Sequence, residues 1–179
     1  MKSSLSFFFE KLEDEFDKKI TLKRNDFLIN KGDLNTNLYL VKEGSLRVFI
    51  DDDNEDHTIR FGYKNSIITA FDCFLTEKPT SFYVQALKKC ELKVISKINY
   101  IHFINSKKEY QDVWNVFLND FMYQQIEREI DLITYSPQKR FNRVFKRSPQ
   151  LFQEIPQKYI ASYLRMAPET LSRILKNLD

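Results

Sequence analysis

The sequence predicts an α+β chain made of a β jelly-roll barrel, one long helix and a C-terminal all-α helix-turn-helix. Three observations carry that expectation. Between Ile20 and Ser96, short runs rich in Ile, Val, Phe, Tyr and Thr alternate with turn signals. Residues 108–134 keep a helical apolar period without a break. Residues 157–175, from Gln157 to Leu175, hold two short amphipathic segments on either side of a tight turn. The expected domains are 1–107, a barrel; 108–136, a helix; and 137–179, a helix-turn-helix unit.

In chain order, residues 5–18 form an amphipathic helix with Leu5, Phe8, Phe9, Leu12 and Phe16 on one side. The strand candidates are Ile20–Leu22, Phe27–Asn30, Leu38–Lys42, Ser45–Ile50, His57–Phe61, Ser66–Phe71, Ser81–Leu87 and Cys90–Ser96. Asn25-Asp26, Lys31-Gly32-Asp33, Glu43-Gly44, Asp51-Asp52-Asp53-Asn54 and Lys64-Asn65 supply the turns between them. About eight short strands at this spacing call for a barrel or jelly roll.

A short helix follows near Asn99–Asn105, and then the long one. Val113, Trp114, Phe117, Leu118, Phe121, Met122, Ile126, Ile130 and Ile133 give the long helix an apolar surface wider than a single seam needs. One side is expected to pack on the barrel and the other to pair with a second copy through Val113, Phe117 and Phe121, giving a homodimer. The alternative is burial wholly within one chain. Ser136-Pro137 ends this helix, a further helix runs through Phe141, Val144 and Phe145, and Ser148-Pro149 breaks the chain again.

In the last segment Ile160, Ala161 and Leu164, then Leu171, Ile174, Leu175 and Leu178, repeat at helical spacing around Arg165-Met166-Ala167. Pro168 stands where a second helix begins, and Glu169 follows in its first turn. The outward residues Gln157, Lys158, Glu169, Thr170, Ser172, Arg173 and Lys176 are types that read bases and hold phosphates, so they are the candidate DNA-binding set. A helical hairpin with an ordinary solvated face has the same periodicity. From residue 138 onward the chain carries nine basic and three acidic residues, a net of +6, whereas the whole chain is +3. A basic end on a mildly acidic body is the footprint of one end meeting phosphate.

Other classes find little support. No run approaches the roughly 18 apolar residues of a membrane span, and Phe7-Phe8-Phe9 is too short for a signal peptide, so a cytoplasmic protein without membrane contact is expected. His57 and His102 belong to no metal-binding spacing, and Cys73 and Cys90 read as isolated buried thiols, so no metal site is expected. With three glycines in turns there is no phosphate-cradling loop, and no Ser/His/Asp set is evident. No enzyme and no cofactor are expected.

The run Leu38-Tyr39-Leu40-Val41-Lys42-Glu43-Gly44-Ser45-Leu46-Arg47-Val48, the run Ser81–Leu87, and above all Ile155–Leu164 with Pro168–Ile174 resemble the Crp/Fnr family of bacterial transcription regulators. The likeness extends to the short regulators of that family common in Bacteroidetes. It implies a cyclic-nucleotide-binding-like barrel, a dimer helix and a DNA-reading head. Family base contacts from a Glu and an Arg fall on Glu169 and Arg173. A further family Arg corresponds to Pro168, and the usual Gly of the turn is Arg165, for which a left-handed backbone is costly.

The family's cyclic-AMP-binding members hold the phosphate with a Glu and an Arg-Ser pair. Thr80-Ser81 occupies the place of that pair, residues 66–82 contain no Arg, and Lys78 is the only nearby cation. Lys78, Thr80 and Ser81 are therefore the candidate ligand residues for an unknown effector, and cyclic AMP is not expected. The six residues after Arg173 leave the family's β-wing missing or reduced. The implied partners are double-stranded DNA at a two-fold symmetric promoter site, a second copy, and RNA polymerase if the protein activates. The competing reading is a ligand-binding or protein-interaction module with a degenerate helix-turn-helix.

Overall fold

Short runs of apolar and β-branched residues form strands, and among the described residues eight of them make two four-stranded sheets. The computed structural model describes residues 2–53 and 55–177; the expectations placed on Asn54, Leu178 and the side chain of Leu5 lie outside the described residues. In chain order the elements are α1 (Lys2–Asp14), β1 (Lys18–Leu22), β2 (Phe27–Ile29), β3 (Leu38–Glu43), β4 (Ser45–Asp52), β5 (Glu55–Tyr63), β6 (Ile67–Ile68), α2 (Phe71–Thr76), β7 (Tyr83–Ala86) and β8 (Cys90–Ile95). Helices follow: α3 (Lys97–Asn105), α4 (Lys108–Ile133), α5 (Pro137–Arg147), α6 (Pro149–Glu154), α7 (Gln157–Tyr163) and α8 (Pro168–Lys176).

One sheet has the order β1-β8-β3-β6 and the other β2-β7-β4-β5. Register fixes which face is apolar: Tyr39 opposes Val94 and Val41 opposes Leu92, so β3 and β8 present their buried residues together. Ile29, Val41, Leu46, Ile68, Val84, Ala86 and Leu92 form the core, each no more than 2% exposed. Each buried Leu, Ile or Val side chain contributes about 1.5–3 kcal/mol. Gly44 joins β3 to β4 at φ +88, and an added Cβ would stand 2.2 Å from the Lys89 carbonyl oxygen, so only glycine fits this turn.

A second apolar cluster seals the first unit with Phe8, Leu12, Phe16, Leu38, Ile95, Tyr100, Phe103, Ile104 and Tyr110. The N-terminal helix is shorter than its period suggests, ending at Asp14, yet Phe16 stays buried because the chain turns straight into β1. Residues 66–71 are not one strand: β6 covers two residues, and Phe71 opens α2. Ser136-Pro137 ends α4 and also starts α5, for Ser136 Oγ accepts from the Lys139 N–H at 3.3 Å and Pro137 takes the first helical position.

Contacts divide the chain into two compact units, Met1–Val48 with Phe61–Phe121, and Phe49–Arg60 with Met122–Asp179. The divisions expected at 107 and 136 are not where these contacts divide it. The far part of the β4–β5 hairpin groups with the C-terminal helices, and α4 contributes to both units.

Half-buried Glu13 fastens α1 to the sheet. Its Oε1 accepts from Lys42 Nζ at 2.7 Å and from Lys93 Nζ at 2.9 Å. Those hydrogen bonds, from Lys42 first and then Lys93, hold the carboxyl below its ordinary range. A depressed carboxyl stabilises above its unfolded pKa and ceases to as pH falls through its folded value. Glu13→Gln should therefore cost about 0.5–1 kcal/mol at neutral pH, after allowance for solvent screening, and progressively less as pH falls through the acid range. Urea unfolding of both proteins across a pH series checks this.

Candidate nucleic-acid interface

The C-terminal unit is built on buried Phe141, Val144, Leu151, Ile155, Ile160, Ala161, Leu164, Leu171 and Ile174. Ala161 has no exposed surface, and its carbonyl accepts the Met166 N–H at 3.1 Å, which closes the turn between α7 and α8. Arg165 stands in that turn at φ 51, in the left-handed region expected to be costly for a side chain. Two contacts hold it there. Its carbonyl accepts from Arg140 Nη2 at 2.9 Å, and its own Nη1 lies 3.2 Å from His57 Nδ1. Arg140, only 7% exposed, also donates to the Thr134 carbonyl at 2.6 Å, so it joins the end of α4 to the turn.

Gln157, Lys158, Pro168, Glu169, Ser172, Arg173, Lys176 and Asn177 line an open groove on the outer side of α7 and α8. Six of the seven residues singled out from sequence thus meet on one surface. Thr170 is half-buried and is not part of the groove lining. Pro168 occupies the first position of α8 after the extended Ala167, as its fixed φ favours. Glu169 in the first turn and Arg173 and Lys176 in the last turn each suit the helix dipole.

The basic tail is less available than its net charge suggests. Arg143 Nε donates to Asp131 Oδ1 at 2.9 Å and its Nη2 to Glu127 Oε2 at 2.9 Å, while Arg147 bonds Asp131 and also reaches Glu127 at 3.3 Å. Asp131 is fully buried. With Arg140 these two arginines hold helices together, so three of the nine tail cations are engaged inside the fold. Sequence counting missed this because the carboxylates lie upstream, on α4.

The hairpin residues of this unit meet α7. Ser162 Oγ accepts from the Thr58 N–H at 3.1 Å and donates toward the Asp56 carbonyl at 3.1 Å. Nothing in the sequence linked residues 56–58 to residues 162–165; only the fold brings them together. The Arg128 guanidinium stacks over the Tyr163 ring at 3.7 Å and donates to the Tyr163 carbonyl at 2.5 Å, and burial lowers its pKa.

The residues expected to pair copies lie within their own unit. Val113 packs on the Phe8–Tyr110 cluster, Phe117 stacks on Trp114 at 5.0 Å, and Phe121 meets Phe71 at 4.7 Å. The exposed apolar residues of α4 are instead Val116, Met122, Tyr123, Ile126, Leu132 and Ile133. Of the candidate ligand residues, Lys78 and Ser81 are exposed and Thr80 is 3% exposed. Cys73 and Cys90 are both buried free thiols. Among the described residues no group of three His, Cys, Asp or Glu could hold a metal ion, and no helix is long and apolar enough to cross a membrane.

Residues 19–107 match the family model of the cyclic nucleotide-binding domain. Solved structures share the fold across nearly the whole chain. A CooA mutant from Carboxydothermus hydrogenoformans has a TM-score of 0.72 at 14% identity, covering 89% of this chain and 75% of its own. FixK2 from Bradyrhizobium japonicum reaches 0.71 at 13% identity, covering 90% and 83%. CLP of Xanthomonas campestris, described as a c-di-GMP responsive global regulator, reaches 0.67 at 14% identity, covering 97% and 91%. No curated protein matches the chain in sequence.

The left-handed turn has a measurable cost. Arg165→Gly should be about 1 kcal/mol more stable than Arg165→Ala, because both lose the side chain and only glycine relieves the backbone. Denaturant midpoints of the two variants check it.

Proposed function

We propose that this protein is a Crp/Fnr-type transcription regulator that binds double-stranded DNA as a homodimer through α7 and α8. The observation that carries the reading is the gathering of Gln157, Lys158, Glu169, Ser172, Arg173 and Lys176 on one outward groove over a closely packed helix pair. The fold shared over 97% of the chain with CLP, which is described as a global regulator, supports it. In this reading α8 enters the major groove, Arg173 and Glu169 read base edges, and Lys158 and Lys176 contact phosphates. Two copies reach half-sites about one turn, roughly 34 Å, apart.

Dimerisation in this reading uses the exposed stripe Val116, Met122, Tyr123 and Ile126, since the Val113, Phe117 and Phe121 side is occupied within the chain. The barrel senses a signal other than cyclic AMP and biases the DNA-competent arrangement through α4 and through the hairpin that meets Ser162. The internal use of Arg140, Arg143 and Arg147 favours the second reading, an interaction module whose helix pair no longer grips DNA.

Selection from random DNA followed by titration at several salt concentrations separates the two. A two-fold symmetric site is expected. Arg173→Ala should cost about 1–3 kcal/mol and relax base preference, while Lys176→Ala weakens all sequences evenly and lowers the salt slope by about one. Absence of salt-sensitive binding would leave the interaction module. Ile126→Glu should convert dimer to monomer in sedimentation; a dimer that survives it pairs through another surface.

A further inference from the structure

The barrel contains a place where hydrogen-bond donors converge on an anion, and the anion is the chain's own. Asp72 stands in the first turn of α2. Its Oδ1 accepts from the Cys73 N–H and from the Thr80 hydroxyl, both at 2.7 Å, and its Oδ2 accepts from the Ser81 N–H at 2.7 Å. These are the short lengths of charge-assisted bonds.

The donors are fixed from behind. The Thr80 hydroxyl also accepts the Phe82 N–H at 3.0 Å, the Gly32 N–H donates to the Thr80 carbonyl at 2.8 Å, and the Thr80 N–H donates to the Asp33 carbonyl at 3.0 Å. At the other end of α2, Lys97 Nζ bonds the Phe74 carbonyl and, at 2.7 Å, Glu77 Oε1, so this cation is already engaged.

We propose that Asp72 is a built-in counter-anion that fills the barrel's donor nest, holding residues 71–82 closed without a ligand and excluding a small phosphate ester from it. The domain match over residues 19–107 names a ligand class that carries one anionic phosphate. A phosphate brought to Cys73, Thr80 and Ser81 would stand beside the Asp72 carboxylate, and like charges at about 4 Å repel. The barrel's state is therefore set by Asp72 and not by a cyclic nucleotide. This rests on the proposed view of the barrel's effector and is independent of DNA binding, which its test does not involve.

The experiment measures thermal midpoints of the full chain, wild type and Asp72→Ala, with inorganic phosphate or cyclic AMP, against potassium chloride at equal ionic strength. The wild type should be unmoved by either anion. Asp72→Ala should melt several degrees lower and recover with phosphate or cyclic AMP, which replace the lost charge. If Asp72→Ala does not fold, Asp72→Asn keeps an acceptor oxygen, removes the charge and is read in the same way. Three results overturn the proposal: a cyclic nucleotide that stabilises the wild type, an Asp72 variant as stable as the wild type, or a destabilised variant that neither anion rescues.

Discussion

A carboxylate with no exposure to water governs the C-terminal half of this protein. Asp131 lies at the end of α4, and a buried charge of this kind persists only when its oxygens are fully used. Arg143 and Arg147 use them, and Glu127 one turn earlier shares the same two guanidinium groups. Removing one partner from such a set costs about 3–5 kcal/mol, more than a surface ion pair contributes, so α5 is fixed against α4. Arg140 on α5 then carries the constraint to the Thr134 and Arg165 carbonyls. The left-handed turn between α7 and α8 is held by a chain of contacts that begins at Asp131.

That arrangement divides the cationic residues by task. Arg140, Arg143 and Arg147 face inward and position helices, whereas Lys158, Arg173 and Lys176 face the outer groove. Net charge alone could not separate these inward cations from those lining the outer groove. The hairpin adds a second hold on the same turn, through Ser162 with residues 56 and 58 and through Arg165 with His57. Residues 49–60 of the hairpin thus belong to the same compact unit as these helices and are hydrogen-bonded to them.

The barrel shows the same economy of charge at a different place. Asp72 gathers donors on a segment that sequence comparison could judge only by what was missing from it, namely arginine. Thr80 and Ser81 were legible as candidate ligand residues only through the resemblance that places them at an Arg-Ser position. Their present partner was not, because an Asp eight residues upstream carries no signal of its own. The short helices α2 and α6, six residues each, escaped the periodicity for a plain reason: so few residues cannot establish a 3.6-residue period.

Local rules were enough for much of the rest. Alternation and turn residues located eight strands, Ser136-Pro137 ended α4, Pro168 began α8, and helical spacing placed Glu169, Ser172, Arg173 and Lys176 on one side of α8. These features depend on neighbours within a few positions, so the sequence by itself determined them. Only the tertiary structure decided which side of α4 stays exposed, which arginines turn inward, that residues 56–58 meet α7, and that Asp72 accepts from Thr80 and Ser81. Each of these joins groups distant in the chain, and their pairing follows from burial and charge compensation that arise only once the chain has closed on itself.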